Sequence, residues 1–448
     1  MTQYTNQMML FKELSGKKVQ VDFNGGDVSS DAGLLLFRES EARLGLFEKV
    51  ASAIHDDRHP GYIKHGIMEL LKQRVYQIAS GYEDANDSNE LRKDPILKIA
   101  CDRPLESDYD LASQPTISRF ENAPTRTTLY RMARALLEIF IESYDTPPEG
   151  IMIDLDDTAD TTYGSQQLTL FNAYHGCHCY MPMHIYEGKS GKLITTILRP
   201  GKRPSGKEIV TILKHIIRII REAWPKVAIL VRGDASYSCP DVYEYCKKEH
   251  NIKFILGFTA YATLVKQSKT LQAKAKELFE SSNTPVKIYS EFSYQAGSWE
   301  SPNRIIVKAE HNSQGPNTRF IVTNLTHASR KFVYETVYCN RGAMELMIKE
   351  HKNHLASDRT SCSSFQANQF RLFLHSMAYI LMHHFRSHYL KGTEFAKAQF
   401  DTIRTKVIKI GARVHHLVTK IKIQLPNSYP YKDDFFRIWK SVGAPSYV

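Results

Sequence analysis

Asp154 and Asp156 stand two apart in the apolar run Ile151-Met152-Ile153-Asp154-Leu155-Asp156. In an extended chain, residues two apart share a face. Asp234 follows a second apolar run, Leu230-Val231-Arg232-Gly233. Carboxylates at strand ends hold hard cations through oxygen. Two such cations, about 3.5–4 Å apart, serve phosphoryl transfer by activating an attacking oxygen and stabilising a leaving one. Any one of these acids alone fits a turn or a helix cap better. The third segment, from Tyr338 to Lys352, adds the decisive pattern. On a regular helix Arg341, Glu345 and Lys352 fall within about 40° of one another, and Tyr338 within about 60° of all three. One face then offers a carboxylate, two cations and a phenol. The carboxylate can hold a metal while the cations grip phosphates. A solvated face of intrahelical Glu–Lys pairs is the bland alternative. It accounts for Lys349 better than for the aligned four.

These residues need a scaffold, and the apolar periodicity describes one. Residues 1–148 read as mostly helical after a short extended start at Val19–Phe23. Ser29-Ser30-Asp31 is an N-cap signal for a helix beginning in Ala32-Gly33-Leu34. Further helical patterns run from Ile63 to Ile78, Leu91 to Ile99 and Leu129 to Tyr144. Pro115 opens a short helix that would display Arg119, in Gln114-Pro115-Thr116-Ile117-Ser118-Arg119, near an exposed N-terminal end. The breaker cluster Pro147-Pro148-Glu149-Gly150 ends this texture. Strands at 151–156, 180–186 and 193–198 follow. Then come a helix at 208–222, a strand at 227–231, a helix at 240–250 and a strand at 252–256. That order describes a mixed α/β sheet. A basic helical stretch, Ala260 to Leu278, and antiparallel strands near 287–294, 304–309 and 319–322 interrupt it before the chain turns helical again at Tyr338. The expected organisation is thus a helical domain (1–148), a core in two parts (149–259 and 338–398), a β-rich insertion (260–337) and a basic C-terminal region (399–448).

Composition narrows the partner. The 448 residues include 59 Lys or Arg against 48 Asp or Glu, a net charge of +11. That excess favours a polyanion, nucleic acid first. The apolar stretch 370–385 is broken by Arg371, His375, His383 and His384, so no membrane span is expected. The first residues lack an apolar signal core, and seven scattered cysteines fit a reducing cytoplasm. His175-Gly176-Cys177-His178-Cys179 lacks zinc-site spacing and a second ligand pair. Arg199-Pro200-Gly201-Lys202-Arg203-Pro204-Ser205-Gly206-Lys207 lacks Walker spacing and is expected to touch DNA backbone. No nucleotide cofactor is therefore expected. The last 50 residues carry nine Lys or Arg and three Asp, again suited to phosphate.

The spacing Tyr-x2-Arg-x3-Glu-x6-Lys at Tyr338, Arg341, Glu345 and Lys352 resembles the signature of bacterial insertion-sequence transposases with a DDE active site. The wider chain is similar to the thirteen-eighty group of insertion sequences. The supporting segments are Phe23-Asn24-Gly25-Gly26, Gly81-Tyr82-Glu83-Asp84, Gln114 to Arg119, and Gln166-Gln167-Leu168 ahead of Phe171-Asn172. The resemblance implies an RNase H-like α/β core with a β-rich insertion. It implies catalytic, metal-holding Asp156, Asp234 and Glu345, with Asp156 preferred to Asp154 because Asp156-Asp157-Thr158 fits the family's Asp-x-Thr context. Two Mg2+ ions, replaceable by Mn2+, are implied. Tyr338, Arg341, Lys352 and Lys349 would bind the DNA end, with Arg119 reading it and Trp299 stacking on a flipped base. The implied partners are terminal inverted repeats, target DNA and a second copy in a homodimer, at the nucleoid of a bacterial cytoplasm. A nuclease on the same fold and a non-catalytic DNA-binding derivative are the rivals.

Overall fold

The computed structural model describes residues 8–443 and divides into two compact units. One comprises Met1–Ala51, Asp56–Phe120 and His384–Val448; the other comprises Ser52–His55 and Glu121–His383.

The second unit is built on an eight-stranded sheet. Its strands are β1 (Gly150–Asp157), β2 (Met183–Glu187), β3 (Leu193–Ile197), β4 (Ala228–Gly233), β5 (Ile252–Phe258), β6 (Val286–Tyr294), β7 (Asn303–Asn312) and β8 (Gly315–Thr323). The spatial order is β6-β7-β8-β5-β4-β1-β2-β3. β1, β4 and β5 run parallel, and every other neighbour pair is antiparallel. Parallel neighbours need crossover connections. Helices α1 (Gly206–Ala223) and α2 (Pro240–Lys248) supply them between β3 and β4 and between β4 and β5. α1 shows why it forms. Ser205 caps it by accepting from the Glu208 amide at 3.3 Å, and Ile209, Leu213, Ile216 and Ile220 bury one stripe. That stripe packs with Ile151, Ile153, Ile229 and Val231 in the main core.

The strands expected in 260–337 are present, but they do not form a sheet of their own. β8 pairs with β5, so the three strands lengthen the sheet that carries the acids. Trp299 is only 7% exposed and packs against Tyr243, Phe258 and Tyr294. Apolar burial has made the segment part of the core.

The first unit contains helices Leu34–Leu44, Ile67–Ala79 and Pro95–Ala100, and a small sheet of Val28–Ser29, Ala412–His416 and Ile421–Gln424. The basic C-terminal region is therefore partly β, not wholly helical. The helical charge pattern was too sparse there to exclude strands. The N-cap signal also resolves differently. Gly33 caps the first helix without a side chain. Asp31 is instead buried, accepting from Tyr82 Oη at 2.9 Å and Lys409 Nζ at 3.1 Å. Its long-range cation takes precedence over a local cap.

Candidate active site

Strand β1 carries three carboxylates near its end, Asp154, Asp156 and Asp157, with Asp160 just beyond it, and the fold gives them different neighbours. Asp154 is buried and receives two hydrogen bonds from Arg232, Nε at 2.6 Å and Nη2 at 2.5 Å. Arg232 stands opposite it in β4 and also donates to the Val337 carbonyl at 2.6 Å. This guanidinium thus joins both strands to the residue before Tyr338. Burial pushes the Asp154 carboxyl up, and Arg232 opposes that. Gly188 leaves room for the pair. A Cβ there would come within 2.4 Å of Asp154 Oδ2 and 2.5 Å of Arg232 Nη2. Asp154, the rival first acid, is fully engaged in this clamp.

Asp156 lies one pleat further along. Its Oδ2 accepts from Arg341 Nη1 at 2.8 Å, and both side chains keep some access to solvent. Burial raises the Asp156 pKa, Arg341 opposes the rise, and Asp234 adds to it. Asp234 follows β4. It caps a single turn at Ala235–Tyr237, accepting from the Ser236 amide at 2.8 Å. Tyr338 sits beside it because β5 offers Gly257, where a Cβ would lie 2.7 Å from the Tyr338 hydroxyl. Burial raises the Tyr338 pKa, and Asp234 contributes to the rise. Asp156, Asp234, Tyr338 and Arg341 are therefore brought together.

Alternation along β1 turns Asp157 to the face opposite Asp156, yet it belongs to this neighbourhood. Burial pushes it up to about 6, with the charges of Asp156 and Asp234 adding to the effect. Arg199 lies 3.7 Å away. Its strand-terminal position was the signal in the sequence.

Glu345 is exposed, and among the described residues it has no hydrogen-bond or ion-pair partner. The uniform helical wheel does not hold here. Val333–Tyr338 is a π-helical segment, Cys339–Gly342 is 3-10, Ala343–Lys349 is α and Glu350–His354 is again π. Each change of turn re-phases the side chains. Lys349 is exposed on the same segment. Lys352 reaches back to the end of β1, donating to Thr158 Oγ1 at 3.1 Å and to the Ala159 carbonyl, 3.6 Å from Asp160. Asp160 is 1% exposed, and among the described residues neither carboxylate oxygen has a hydrogen-bond partner. Burial lifts its pKa to about 8, with Lys352 opposing.

The basic loop after β3 turns inward. Arg199 is buried against Glu208 at 2.7 Å. Arg203 donates to the carbonyls of Ala235 and Ser236 at 2.7 and 2.9 Å, bracing the turn that Asp234 caps. Lys202 and Lys207 remain exposed. Arg119, in the other unit, is exposed on helix Gln114–Asn122.

Carboxylate oxygens at Asp156 and Asp234 suit a hard divalent cation. The Asp234 charge adds to the rise at Asp156, and a cation between them would relieve it. Among the described residues, however, no group of three or more His, Cys, Asp or Glu side chains stands ready to hold a metal. Glu345 is not drawn in as a third ligand, and Arg341 occupies one Asp156 oxygen. No described helix is long and apolar enough to cross a membrane.

A family profile described as "Transposase DDE domain group 1" matches residues 11–444. The chain belongs to that transposase family. No curated protein matches it. Among solved structures, the cryo-EM structure of a piggyBac transposase synaptic complex with hairpin DNA is similar at 9% identity and a TM-score of 0.42. The likeness covers 85% of this chain and 80% of that one.

Proposed function

We propose that this protein is a DNA transposase of the thirteen-eighty insertion-sequence group. It cleaves the ends of its element and joins the freed 3′ hydroxyls to target DNA. The observation that carries this reading is the convergence of Asp156, Asp234, Tyr338 and Arg341 at the ends of two adjacent parallel strands, in a chain of the DDE family. The strand order β3-β2-β1-β4-β5, with the last two parallel to β1, supports an RNase H-like core.

Asp156 and Asp234 would hold Mg2+ or Mn2+, with Glu345 joining them when DNA is bound. When bound, such cations neutralise charge on the attacking and leaving oxygens of a phosphodiester. The chain's own residues do the rest. Arg341 and Tyr338 face the position a phosphate would take beside Asp156 and Asp234. Arg341 is held positive: burial works against the charge, but Asp156 outweighs it. Lys352 keeps the loop after β1 in place, while exposed Lys349 meets DNA phosphates and exposed Arg119 reads the element's end. Paired handling of two ends would take a homodimer working at the nucleoid.

The test uses a supercoiled plasmid carrying the DNA that flanks this reading frame. With Mg2+ or Mn2+, the wild-type protein should nick or excise at inverted repeats and join labelled 3′ ends to a second plasmid. Asp234→Asn should bind the ends and cleave none, because the amide keeps the shape and loses the charge. Cleavage without end joining would make the protein a nuclease. Wild-type-like cleavage by Asp234→Asn would remove that residue from the site.

A further inference from the structure

The chain leaving β1 builds an appendage that the catalytic reading does not use. Asp160–Thr161, Leu170–Asn172 and Cys177–Tyr180 form a small antiparallel sheet. Its base is fastened. Gln166 Nε2 donates to the Thr360 carbonyl at 2.7 Å, the Gln167 amide to the Ser363 carbonyl at 2.9 Å, and Tyr180 Oη to the Gln167 carbonyl at 2.6 Å. Its outer edge is unburied. Tyr163 is 81% exposed, Phe171 59% and Tyr174 92%.

These rings are displayed by ordered backbone. Asn172 Oδ1 accepts from the amides of Tyr174 and His175 at 3.0 and 3.3 Å, and Gly176 closes the turn at φ 66°. Phe171 pairs with His178 across the strands, ring centroids 5.4 Å apart. Fixing a turn to present aromatic rings to water gives up burial that rings otherwise seek. Past Asp160 the flap is free of both signs of charge. From Thr161 to Tyr186 the chain contains no Asp or Glu, and no Lys or Arg either. Asn172 Nδ2 donates to the Gly201 carbonyl at 3.1 Å, which sets Phe171 beside the loop carrying exposed Lys202.

We infer that this flap is a stacking platform for unpaired nucleotides of the DNA strand being processed at Asp156. Aromatic rings reach base faces only where bases are unstacked, and every base has such a face. Past Asp160 the flap has no acid to repel a phosphate, and exposed Lys202 beside Phe171 suits one between those bases. The flap begins four residues after Asp156, so its base is anchored at the end of the strand that carries that acid. This inference rests on the transposase reading and adds to it the state of the DNA.

The test compares a single-stranded oligonucleotide containing 2-aminopurine with a blunt duplex of the same sequence, using the full chain. The wild type should bind the single strand and quench its fluorescence by stacking. The combined substitution Tyr163→Ser, Phe171→Ser and Tyr174→Ser should weaken single-strand binding about tenfold or more and abolish the quench. Duplex binding should stay within about twofold, since phosphate contacts are untouched. Tyr174→Ser alone, at a nearly fully exposed site, should show the same selectivity at about fivefold. Unchanged single-strand binding, or equal loss on both probes, would overturn the platform while leaving the transposase reading intact. A change of oligomeric state by light scattering, with no change in quench, would make the flap a protein interface instead. A wild-type protein that binds neither probe would count against both readings.

Discussion

Two Asp–Arg pairs lie two residues apart along β1, with similar distances and different surroundings. Asp154 and Arg232 are sealed in the sheet, with two bonds and 0–1% side-chain exposure. Asp156 and Arg341 make one bond at the sheet's end, with 16–17% exposure. A sealed pair is costly to break, because the survivor is left charged in a medium that cannot solvate it. A pair at the rim can exchange partners, since water and ions replace what is lost. The first pair is thus a clamp on the scaffold, and the second is a place where a phosphate or a cation can enter. Asp160 with Lys352 gives a third case, a buried acid whose cation approaches without a direct bond to it.

The largest effect should come from breaking the clamp. Asp154→Ala leaves Arg232 unpaired and should cost about 3–5 kcal/mol of stability in urea unfolding. A loss below about 1 kcal/mol would show that water reaches Arg232 and that the two pairs do not differ in kind. Next in size is a pH effect at Asp160. Its folded-state pKa, about 8, lies above the ordinary carboxylate value. The folded protein therefore keeps a proton that the unfolded chain releases, and stability falls as the pH rises from about 4 to about 8. Asp160→Asn should flatten that fall in melts taken across this range. An unaltered slope would place the ionised form comfortably beside Lys352.

Gly188→Ala should cost about 1–3 kcal/mol by crowding the sealed pair. The control is a chain that already lacks the clamp, with Asp154→Asn and Arg232→Met. If the alanine costs as much there, the crowding lies elsewhere. The smallest effect on stability belongs to Asp156→Asn, within about 1 kcal/mol by denaturation. The same substitution should abolish end cleavage in the plasmid assay. A large loss of stability would make Asp156 a second clamp.

Much of the scaffold was legible because burial writes itself into periodicity. The strand at 151–156 and the helix at 208–222 were recognisable as an apolar run and an apolar stripe, and both stand within a residue or two of expectation. Asp154, Asp156 and Asp234 stand out as charged residues in or just after such runs. Asp157 does not, because spacing along the strand says nothing of the approach of Arg199. The direction of Trp299 was equally hidden. An isolated Trp between turn residues carries no sign of whether it faces a base or Tyr243.

By itself, the sequence determined a mixed α/β core and the acidic residues at its strand ends, because local periodicity and residue chemistry need no partner to be read. Tertiary structure alone decided which acid faces which cation. Arg232 selects Asp154 across neighbouring strands, Arg341 reaches Asp156 over 185 positions, and Lys352 turns to the end of β1. It also decided that Glu345 stands apart, because alternating π, 3-10 and α turns replace the uniform helix that a wheel assumes. Such pairings follow from long-range packing and from the cost of leaving a buried charge alone, and neither is encoded in spacing along the chain.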